Sequence, residues 1–329
     1  MFSSSLSSSR RICVAPMMDW TDRHGRYFLR LITRRALLYT EMVPTAALQR
    51  GDRARFLDHH PDEHPLALQL GGGDPAALAE CARMAEDWGY DEVNLNAGCP
   101  SDRVAAGGFG ACLMAEPERV AACVAAMKAA VRVPVTVKHR IGIDDRDDGE
   151  HLDAFVRTIV SAGCDAVIIH ARKAILGGLS PKHNRTVPPL RHDLVHGIKA
   201  AMPGVTVVIN GGIVTLDQAA VHLERVDGVM IGRAAFDTPY MLADVDRRFH
   251  GDPGPPPTRA EILDALVDYA RQQQARGVGL DRVFRRVHGL LRGLPGARAW
   301  RRRLQEIILR SNADPLLIAE ATGRLMGQL

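Results

Sequence analysis

Long apolar runs are absent from this chain of 329 residues. No stretch approaches the roughly eighteen consecutive apolar residues that a transmembrane helix needs, so the sequence excludes a membrane span. Residues 1–10 are rich in serine, contain no acidic residue and lack the apolar stretch of a secretory signal. We therefore expect residues 1–10 to form a disordered tail ahead of the folded protein.

A Cys-x-x-Cys pair is also missing. The six cysteines are scattered through apolar segments, at Cys13, Cys81, Cys99, Cys112, Cys123 and Cys164. This scatter indicates neither a zinc site nor a disulfide framework, and free thiols are typical of a reducing compartment. We expect a cytoplasmic protein without a bound metal.

Lysine is absent from the last quarter of the chain. From Pro255 to Leu329 there are thirteen arginines and seven acidic residues, a net charge of +6, whereas the rest of the chain carries −2. Such a strongly basic segment favours a polyanionic partner. The alternative is a solvated helical face with scattered ion pairs.

Short apolar runs recur through the first three quarters, each followed by a loop and an amphipathic helical stretch. Helix starts are marked by Asp74-Pro75 and by Glu116-Pro117, with proline at the first helical position. The runs predict strands at Ile12–Ala15, Leu38–Glu41, Leu66–Leu70, Glu92–Asn96, Val135–His139, Ala166–His170, Val207–Asn210 and Gly228–Ile231. Eight alternations of strand and helix predict an α/β fold, a parallel (β/α)8 TIM barrel over residues 11–250.

A break follows the barrel. Residues 251–257 are too rich in proline and glycine to continue an element, and we expect them to be a linker. Thr258 can cap a helix that runs to about Arg276, and further helices are predicted at 280–291, 297–310 and 315–326. The sequence therefore predicts a small all-helical domain over residues 258–329.

Polar residues and glycines follow most of the predicted strands, where barrel enzymes place their sites. They include Gln69, Asn96, Lys138, His170, Asn210-Gly211-Gly212 and Gly232-Arg233. The glycines after strands seven and eight occupy the usual phosphate position of barrels. With Lys138, Gln69 and the apolar Pro16-Met17-Met18, this set suits flavin mononucleotide, FMN, since a lysine near the ring stabilises its reduced form.

One cysteine stands apart from the others. Cys99 lies between Gly98 and Pro100, after the fourth predicted strand. Glycine permits close backbone approach and proline fixes φ, so this thiol is predicted to sit on a stiff corner suited to chemistry on a ligand. The alternative is a small buried hydrophobic residue, a common fate of free cysteine.

Several of these segments together resemble one known family. They are Ala15–Asp22, Gln69-Leu70-Gly71, Asn94–Ser101, Lys138-His139-Arg140, His170–Lys173, Leu179–Arg185 and Asn210-Gly211-Gly212. Their order and spacing are similar to those of the tRNA-dihydrouridine synthases, most closely the A type, the dihydrouridine(20/20a) synthases. The resemblance runs from about residue 11 to the end.

This resemblance implies an NADPH-linked flavoenzyme that reduces the C5–C6 double bond of uridines in the D-loop of tRNA. Hydride would pass from tightly bound FMN to uracil C6, and Cys99 would give a proton to C5. It implies FMN contacts at Pro16, Met17, Met18, Gln69, Lys138, His170, Asn210, Gly211, Gly212, Gly232 and Arg233. It implies tRNA or target-base contacts at Asn96, Lys182, Arg185, Arg298 and Arg301.

Two other functions remain open from the sequence. An FMN barrel acting on a free pyrimidine, similar to dihydroorotate dehydrogenase, would share the phosphate loops and the lysine but would not need the arginine-rich extension. A non-catalytic RNA-binding barrel would need no flavin. The long basic face favours a monomer.

Overall fold

The computed structural model describes residues 10–310 and 313–326 of the chain. Within these ranges eight parallel strands form a closed barrel in which each strand pairs with the next and the last pairs with the first. The strands are β1 Ile12–Val14, β2 Leu37–Pro44, β3 Leu66–Gly71, β4 Glu92–Ala97, β5 Val135–Arg140, β6 Ala166–His170, β7 Thr206–Asn210 and β8 Gly228–Ile231. The predicted (β/α)8 barrel is confirmed.

Helices cover the outside of the barrel and pack their apolar faces on the strands. The α-helices that precede the linker are Arg23–Arg30, Thr45–Arg50, Arg53–Leu57, Pro75–Asp87, Asp102–Ala106, Pro117–Ala130, Gly149–Ser161, His192–Ala201, Leu216–Leu223, Ala234–Asp237 and Val245–His250. Asp74 accepts a hydrogen bond from Ala77 N and Pro75 is the first helical residue, as the sequence predicts.

Two expectations about the first strands need correction. β2 continues past Glu41 to Pro44, because a bulge between Tyr39 and Met42 shifts its pairing with β3. Arg10, assigned above to the tail, is buried and donates to Glu92 Oε2 from Nε at 2.9 Å and from Nη2 at 2.7 Å. The remaining tail residues, 1–9, lie outside the described residues.

The barrel interior is filled unevenly. Apolar side chains from β1, β2, β3, β6, β7 and β8 form one cluster, namely Cys13, Ala15, Leu37, Tyr39, Ala67, Ile168, Val208 and Met230. The polar residues Glu92, Asn94, Asn96 and Thr136, from β4 and β5, are buried as well. Since alternate residues of a strand face the same side, Glu92, Asn94 and Asn96 share one face of β4.

Residues 251–257 contain no helix or strand, and helices follow them at Arg259–Ala275, Leu280–Phe284, Ala297–Ile308 and Leu316–Met326. Thr258 and Glu261 form the reciprocal capping pair that starts the first of these helices. Its Tyr269 stacks on Tyr27 with ring centroids 3.8 Å apart and an interplanar angle of 15°. The helical region therefore packs against the barrel helix Arg23–Arg30.

The single helix predicted over 280–291 is interrupted. The α-helix ends at Phe284, and a short 3-10 turn occupies Val287–Gly289. The break turns Arg286 towards the barrel, where its Nε donates to Asp19 O at 2.8 Å. A tertiary contact thus overrides the local helical pattern.

Candidate active site

Cys99 lies on a tightly fixed corner beyond the end of β4. Its N–H donates to Asn96 Oδ1 at 2.9 Å, and its carbonyl accepts from Ala111 N at 2.9 Å. A Cβ at Gly98 would lie 3.3 Å from His139 Cα, so only glycine fits this approach without a shift. Cys99 is a free, partly exposed cysteine, in contrast to the buried Cys13, Cys81, Cys123 and Cys164. The exposure separates Cys99 from an ordinary core thiol.

A clamp from β5 holds the same corner. The buried Arg140 donates from Nε to Gly98 O at 2.9 Å and from Nη1 to Lys173 O and Asn184 O at 2.9 and 3.0 Å. Arg140 therefore ties the Cys99 corner to the loop after β6. Burial lowers the pKa of Arg140 to about 10, with the nearby Cys99 opposing and neighbouring arginines adding to the shift.

Two amides connect the corner to the barrel interior. Asn96 Nδ2 donates to Gln69 Oε1 at 2.8 Å, and Gln69 Nε2 donates to Asn94 Oδ1 at 2.7 Å. Gln69 is only 1% exposed, and these two hydrogen bonds hold both the oxygen and the nitrogen of its amide. Three of the predicted site residues, Gln69, Asn96 and Cys99, therefore form one hydrogen-bonded unit.

Lys138 and Asn210 face each other across the mouth of the barrel. Lys138 Nζ donates to Asn210 Oδ1 at 3.2 Å, and Asn210 Nδ2 donates to Met230 O at 2.8 Å. Burial, with a further contribution from Arg140, lowers the pKa of Lys138 to about 7, and the nearby Cys99 opposes the shift. At neutral pH the amine is thus a group that can hold or release a proton.

His170 and the glycines after β7 lie together. A Cβ at Gly211 would be 2.8 Å from His170 Cδ2, and Gly211 and Gly212 have positive φ values of 116° and 74°. Burial lowers the pKa of His170 well below its usual range, and the surrounding cations lower it further. His170 is therefore neutral, and both glycine positions require the absence of a side chain.

Unpaired positive charge is concentrated at this mouth. Within the described residues no ion pair with a carboxylate is formed by Lys138, Arg140, Arg172, Arg185 or Arg233. Burial lowers the pKa of Arg172 and of Arg185, and the charge of Arg233 lowers both further. Such an uncompensated cluster attracts anions.

The loop after β1 forms an apolar margin of the mouth. Pro16 and Met17 are partly buried and Met18 is 58% exposed. Ala15 N donates to Ile231 O at 2.8 Å, so this loop starts beside the end of β8 and Gly232. A Cβ at Gly232 would meet nothing within 4 Å, which leaves open space over the backbone there.

The residues predicted to contact tRNA are spread more widely. Asn96 lies inside the mouth, whereas Lys182 and Arg185 are exposed on the loop after β6. Arg298 and Arg301 are exposed on the helix Ala297–Ile308. The five residues thus lie on three parts of the fold, namely the end of β4, the loop after β6 and the helical region.

Sequence reasoning left several residues of the site out. Glu41, at the bulge in β2, accepts a hydrogen bond from Asp19 N and so fixes the loop after β1. Asn94, Thr136 and Glu92 extend the amide pair into the barrel. The polar residues at alternate positions 92, 94 and 96 of an otherwise apolar strand are the sequence pattern that could have indicated them.

The described residues offer neither a metal-binding cluster nor a membrane-spanning helix. No group of three or more His, Cys, Asp or Glu in the described ranges has an arrangement that could hold a metal ion. Among the helices of those ranges, none is long and apolar enough to cross a membrane.

A parallel eight-stranded barrel that presents a thiol, a lysine and unpaired arginines at its strand ends defines an enzyme of the barrel class. The family model described as dihydrouridine synthase (Dus) matches residues 13–323. The chain belongs to the dihydrouridine synthase family.

Curated relatives are similar along almost the whole chain. The tRNA-dihydrouridine(20/20a) synthase of Synechocystis sp. is 53% identical over 315 residues, which cover 96% of this chain and 94% of the relative. The protein of the same name from Shewanella oneidensis is 54% identical over 297 residues, covering 90% of this chain and 88% of the relative.

A solved structure supports the fold alone. A complex of 2-naphthoyl-CoA reductase aligns with a TM-score of 0.55 at 12% identity and covers 72% of this chain. The alignment covers 50% of the reductase chain.

Proposed function

We propose that this protein reduces the C5–C6 double bond of specific uridines in the D-loop of tRNA to dihydrouridine, with FMN as its cofactor and NADPH as reductant. The observation that carries the proposal is the fixed, partly exposed Cys99 corner, set among cations in a chain of the dihydrouridine synthase family. The curated relatives named tRNA-dihydrouridine(20/20a) synthase support the choice of substrate.

The residues at the mouth fit FMN. Pro16, Met17 and Met18 provide an apolar surface for a ring, and Lys138 and Gln69 provide polar groups for its edge. His170 borders the phosphate side.

The phosphate side itself has bare backbone and charge. The backbone of Gly211, Gly212 and Gly232, with Asn210 and Arg233 nearby, suits a phosphate. When bound and reduced, the flavin supplies the hydride that uracil C6 accepts.

Cys99 acts as the general acid. Its Sγ–H bond breaks as the proton passes to C5, and the thiolate that remains is later protonated from water. The cations Lys138, Arg140 and Arg185 interact electrostatically with that thiolate, which stabilises the charge formed in the step. The hydrogen bonds that Cys99 N donates to Asn96 Oδ1 and that Cys99 O accepts from Ala111 N keep the corner in place during the transfer.

The substrate must be drawn out of folded RNA. Extruding a base costs a few kcal/mol, which contacts with the surrounding RNA have to offset. Asn96 would receive the base, and Lys182 and Arg185, exposed on the loop after β6, would bind its flanking phosphates. Arg298 and Arg301, on the helical region, would bind phosphates farther away. A monomer in the cytoplasm stays our prediction for its state and location.

The test uses the purified protein and unmodified tRNA. We expect a yellow protein that releases FMN on denaturation and forms dihydrouridine when NADPH is added. Free uracil and uridine serve as the comparison substrates. Turnover of these but not of tRNA would instead identify an enzyme for free pyrimidines, and a colourless RNA-binding protein would contradict the proposal.

A further inference from the structure

A line of hydrogen bonds runs through the polar half of the barrel interior, from the Cys99 corner to the base of β4. The bonds run from Cys99 N to Asn96 Oδ1 (2.9 Å), Asn96 Nδ2 to Gln69 Oε1 (2.8 Å), Gln69 Nε2 to Asn94 Oδ1 (2.7 Å), Asn94 Nδ2 to Thr136 Oγ1 (2.8 Å), and Thr136 Oγ1 to Glu92 Oε1 (2.5 Å). We call this line the amide relay. All of its side chains are buried.

The hydrogen bonds of the amide relay can run in only one direction, because the group at one end can only donate and the group at the other end only accepts. At the top, backbone N–H groups can only donate. At the bottom, Glu92 accepts from Arg10 at Oε2 and from Tyr39 OH and Thr136 at Oε1, so it acts as an acceptor-only carboxylate. Thr136 must therefore donate downward and accept from Asn94, which leaves one orientation for each amide above it.

The direction decides which atoms Gln69 offers to the mouth. If the Gln69 amide were flipped, its oxygen would face Asn94 Oδ1 and its nitrogen would face Asn96 Nδ2, and both hydrogen bonds would be lost. In a dry interior such unpaired groups are costly. Gln69 thus keeps one N–H and one lone pair free in a fixed arrangement.

We propose that Thr136, Asn94 and Glu92 are positioning residues that fix the amide orientations of Gln69 and Asn96 and, through Asn96, the backbone of Cys99. The inference rests on the proposed function, in which Gln69 meets the ring edge of FMN and Cys99 protonates the base. It assigns a part in binding and catalysis to residues that contact neither FMN nor the target base. Thr136 is separated from Gln69 by Asn94 and from Cys99 by three side chains.

The test replaces the hydroxyl of Thr136 while keeping the shape of the side chain. Thr136→Val removes both the acceptor for Asn94 and the donor to Glu92, and Thr136→Ser keeps both. We expect Thr136→Val to weaken FMN binding at least tenfold and Thr136→Ser to restore it to within about threefold of wild type. In flavin-free protein, alkylation of Cys99 by iodoacetamide is expected to be at least threefold faster in Thr136→Val, because its corner is held less firmly.

Tyr39→Phe is the matched control. It removes a 2.7 Å hydrogen bond to the same Glu92 oxygen but leaves the amide relay complete. We expect FMN affinity and the alkylation rate to stay within twofold of wild type. An equal loss in Tyr39→Phe and Thr136→Val would assign the effect to general weakening around Glu92 and overturn the inference.

Two further outcomes complete the test. If Thr136→Val does not fold, Asn94→Ser, which deprives Gln69 Nε2 of its acceptor, takes its place with the same expected loss of FMN affinity. Unchanged FMN binding in the folded variant overturns the inference while wild-type dihydrouridine formation leaves the proposed function standing. Absence of dihydrouridine formation in the wild type would contradict the proposed function itself.

Discussion

Charged side chains are paired at the end of the barrel where the strands begin, and several are unpaired at the end where the strands finish. Where strands begin, Asp91, Asp165 and Asp227 each precede a strand and accept a backbone N–H at the start of the strand before it, from Leu66, Val135 and Val207. Asp165 and Asp227 also pair with Lys128 and Lys199, and Asp91 pairs with the His64 ring. Where strands end, Lys138 and four arginines have no carboxylate partner among the described residues.

This difference indicates that one end of the barrel serves stability and the other serves ligand binding. A paired carboxylate that also accepts a backbone N–H at the start of a strand satisfies that group and stabilises the fold. An unpaired cluster costs free energy in the isolated protein and is offset only when an anion binds. Substitutions of these paired aspartates should therefore change stability alone, and substitutions of the unpaired cations at the mouth should change binding and catalysis.

The largest effect is expected at Cys99. Cys99→Ala removes the proton donor, and we expect dihydrouridine formation to fall at least about a hundredfold, as for other general acids. FMN content and thermal stability should stay unchanged, because the corner is held by backbone contacts. Steady-state assays on unmodified tRNA measure the rate. Wild-type turnover in a flavin-loaded variant would contradict the role of Cys99.

Lys138→Met should stabilise the flavin-free protein. The pKa of Lys138 is lowered to about 7 by burial, so between pH 7 and its ordinary pKa of 10.5 the unfolded state binds more protons than the folded state. Wild-type stability therefore rises with pH across this window. Below pH 7 the variant should be more stable by on the order of 2 kcal/mol, reduced where solvent reaches the amine.

Urea unfolding at several pH values measures this difference, which should vanish near pH 10.5 as both states lose the charge. Identical pH profiles for the two proteins would contradict the burial of an unpaired charge at the mouth. In contrast, FMN binding should weaken in the variant.

The helical arginines sharpen the comparison, because they add positive charge outside the barrel. Arg298→Ala with Arg301→Ala should raise the KM for tRNA by about tenfold and reduce the salt dependence of binding by about two ion equivalents. NADPH oxidation should be unaffected. The matched control, Arg157→Ala with Arg225→Ala, removes two exposed arginines from the outside of the barrel and should leave the KM unchanged. Loss of NADPH oxidation together with tRNA binding would indicate misfolding.

The smallest effect is expected at the base. Asp165→Ala removes the acceptor for Val135 N and the partner of Lys128, which should lower the free energy of unfolding by about 1–2 kcal/mol. Turnover per folded molecule should not change. Asp153→Ala breaks only an exposed pair with Arg157 and should cost less than about 0.5 kcal/mol. A loss of turnover in folded Asp165→Ala would break the contrast between the two ends.

The barrel could be predicted from the sequence because its strands and helix starts are marked by short patterns of neighbouring residues. Apolar runs mark the strands, and Asp74-Pro75 and Thr258 mark helix starts that the structure confirms. The position of Cys99 at a strand end also follows from neighbouring residues. These features depend on hydrogen bonds and burial within a few residues of the chain.

The remaining features depend on partners far apart in sequence. Arg10 is ordered by Glu92, 82 residues away, and so could not be separated from the tail by composition. The amide relay needs the register between β4 and β5 that sets Asn94 beside Thr136, a residue 42 positions away. The same limit applies to Arg286, which the sequence cannot distinguish from the exposed arginines around it.

Arg286 links the helical region to the loop after β1. Its guanidinium lies 5.0 Å from the ring centre of Trp20 and donates to Asp19 O, so one side chain of the helical region grips the loop that carries Met17 and Met18. Trp20 in turn meets Phe236, beyond β8, with ring centroids 5.6 Å apart. Arg286, Trp20 and Phe236 therefore tie the helical region to the loop after β1 and to the segment after β8, so displacing one of these parts would break contacts with the other two.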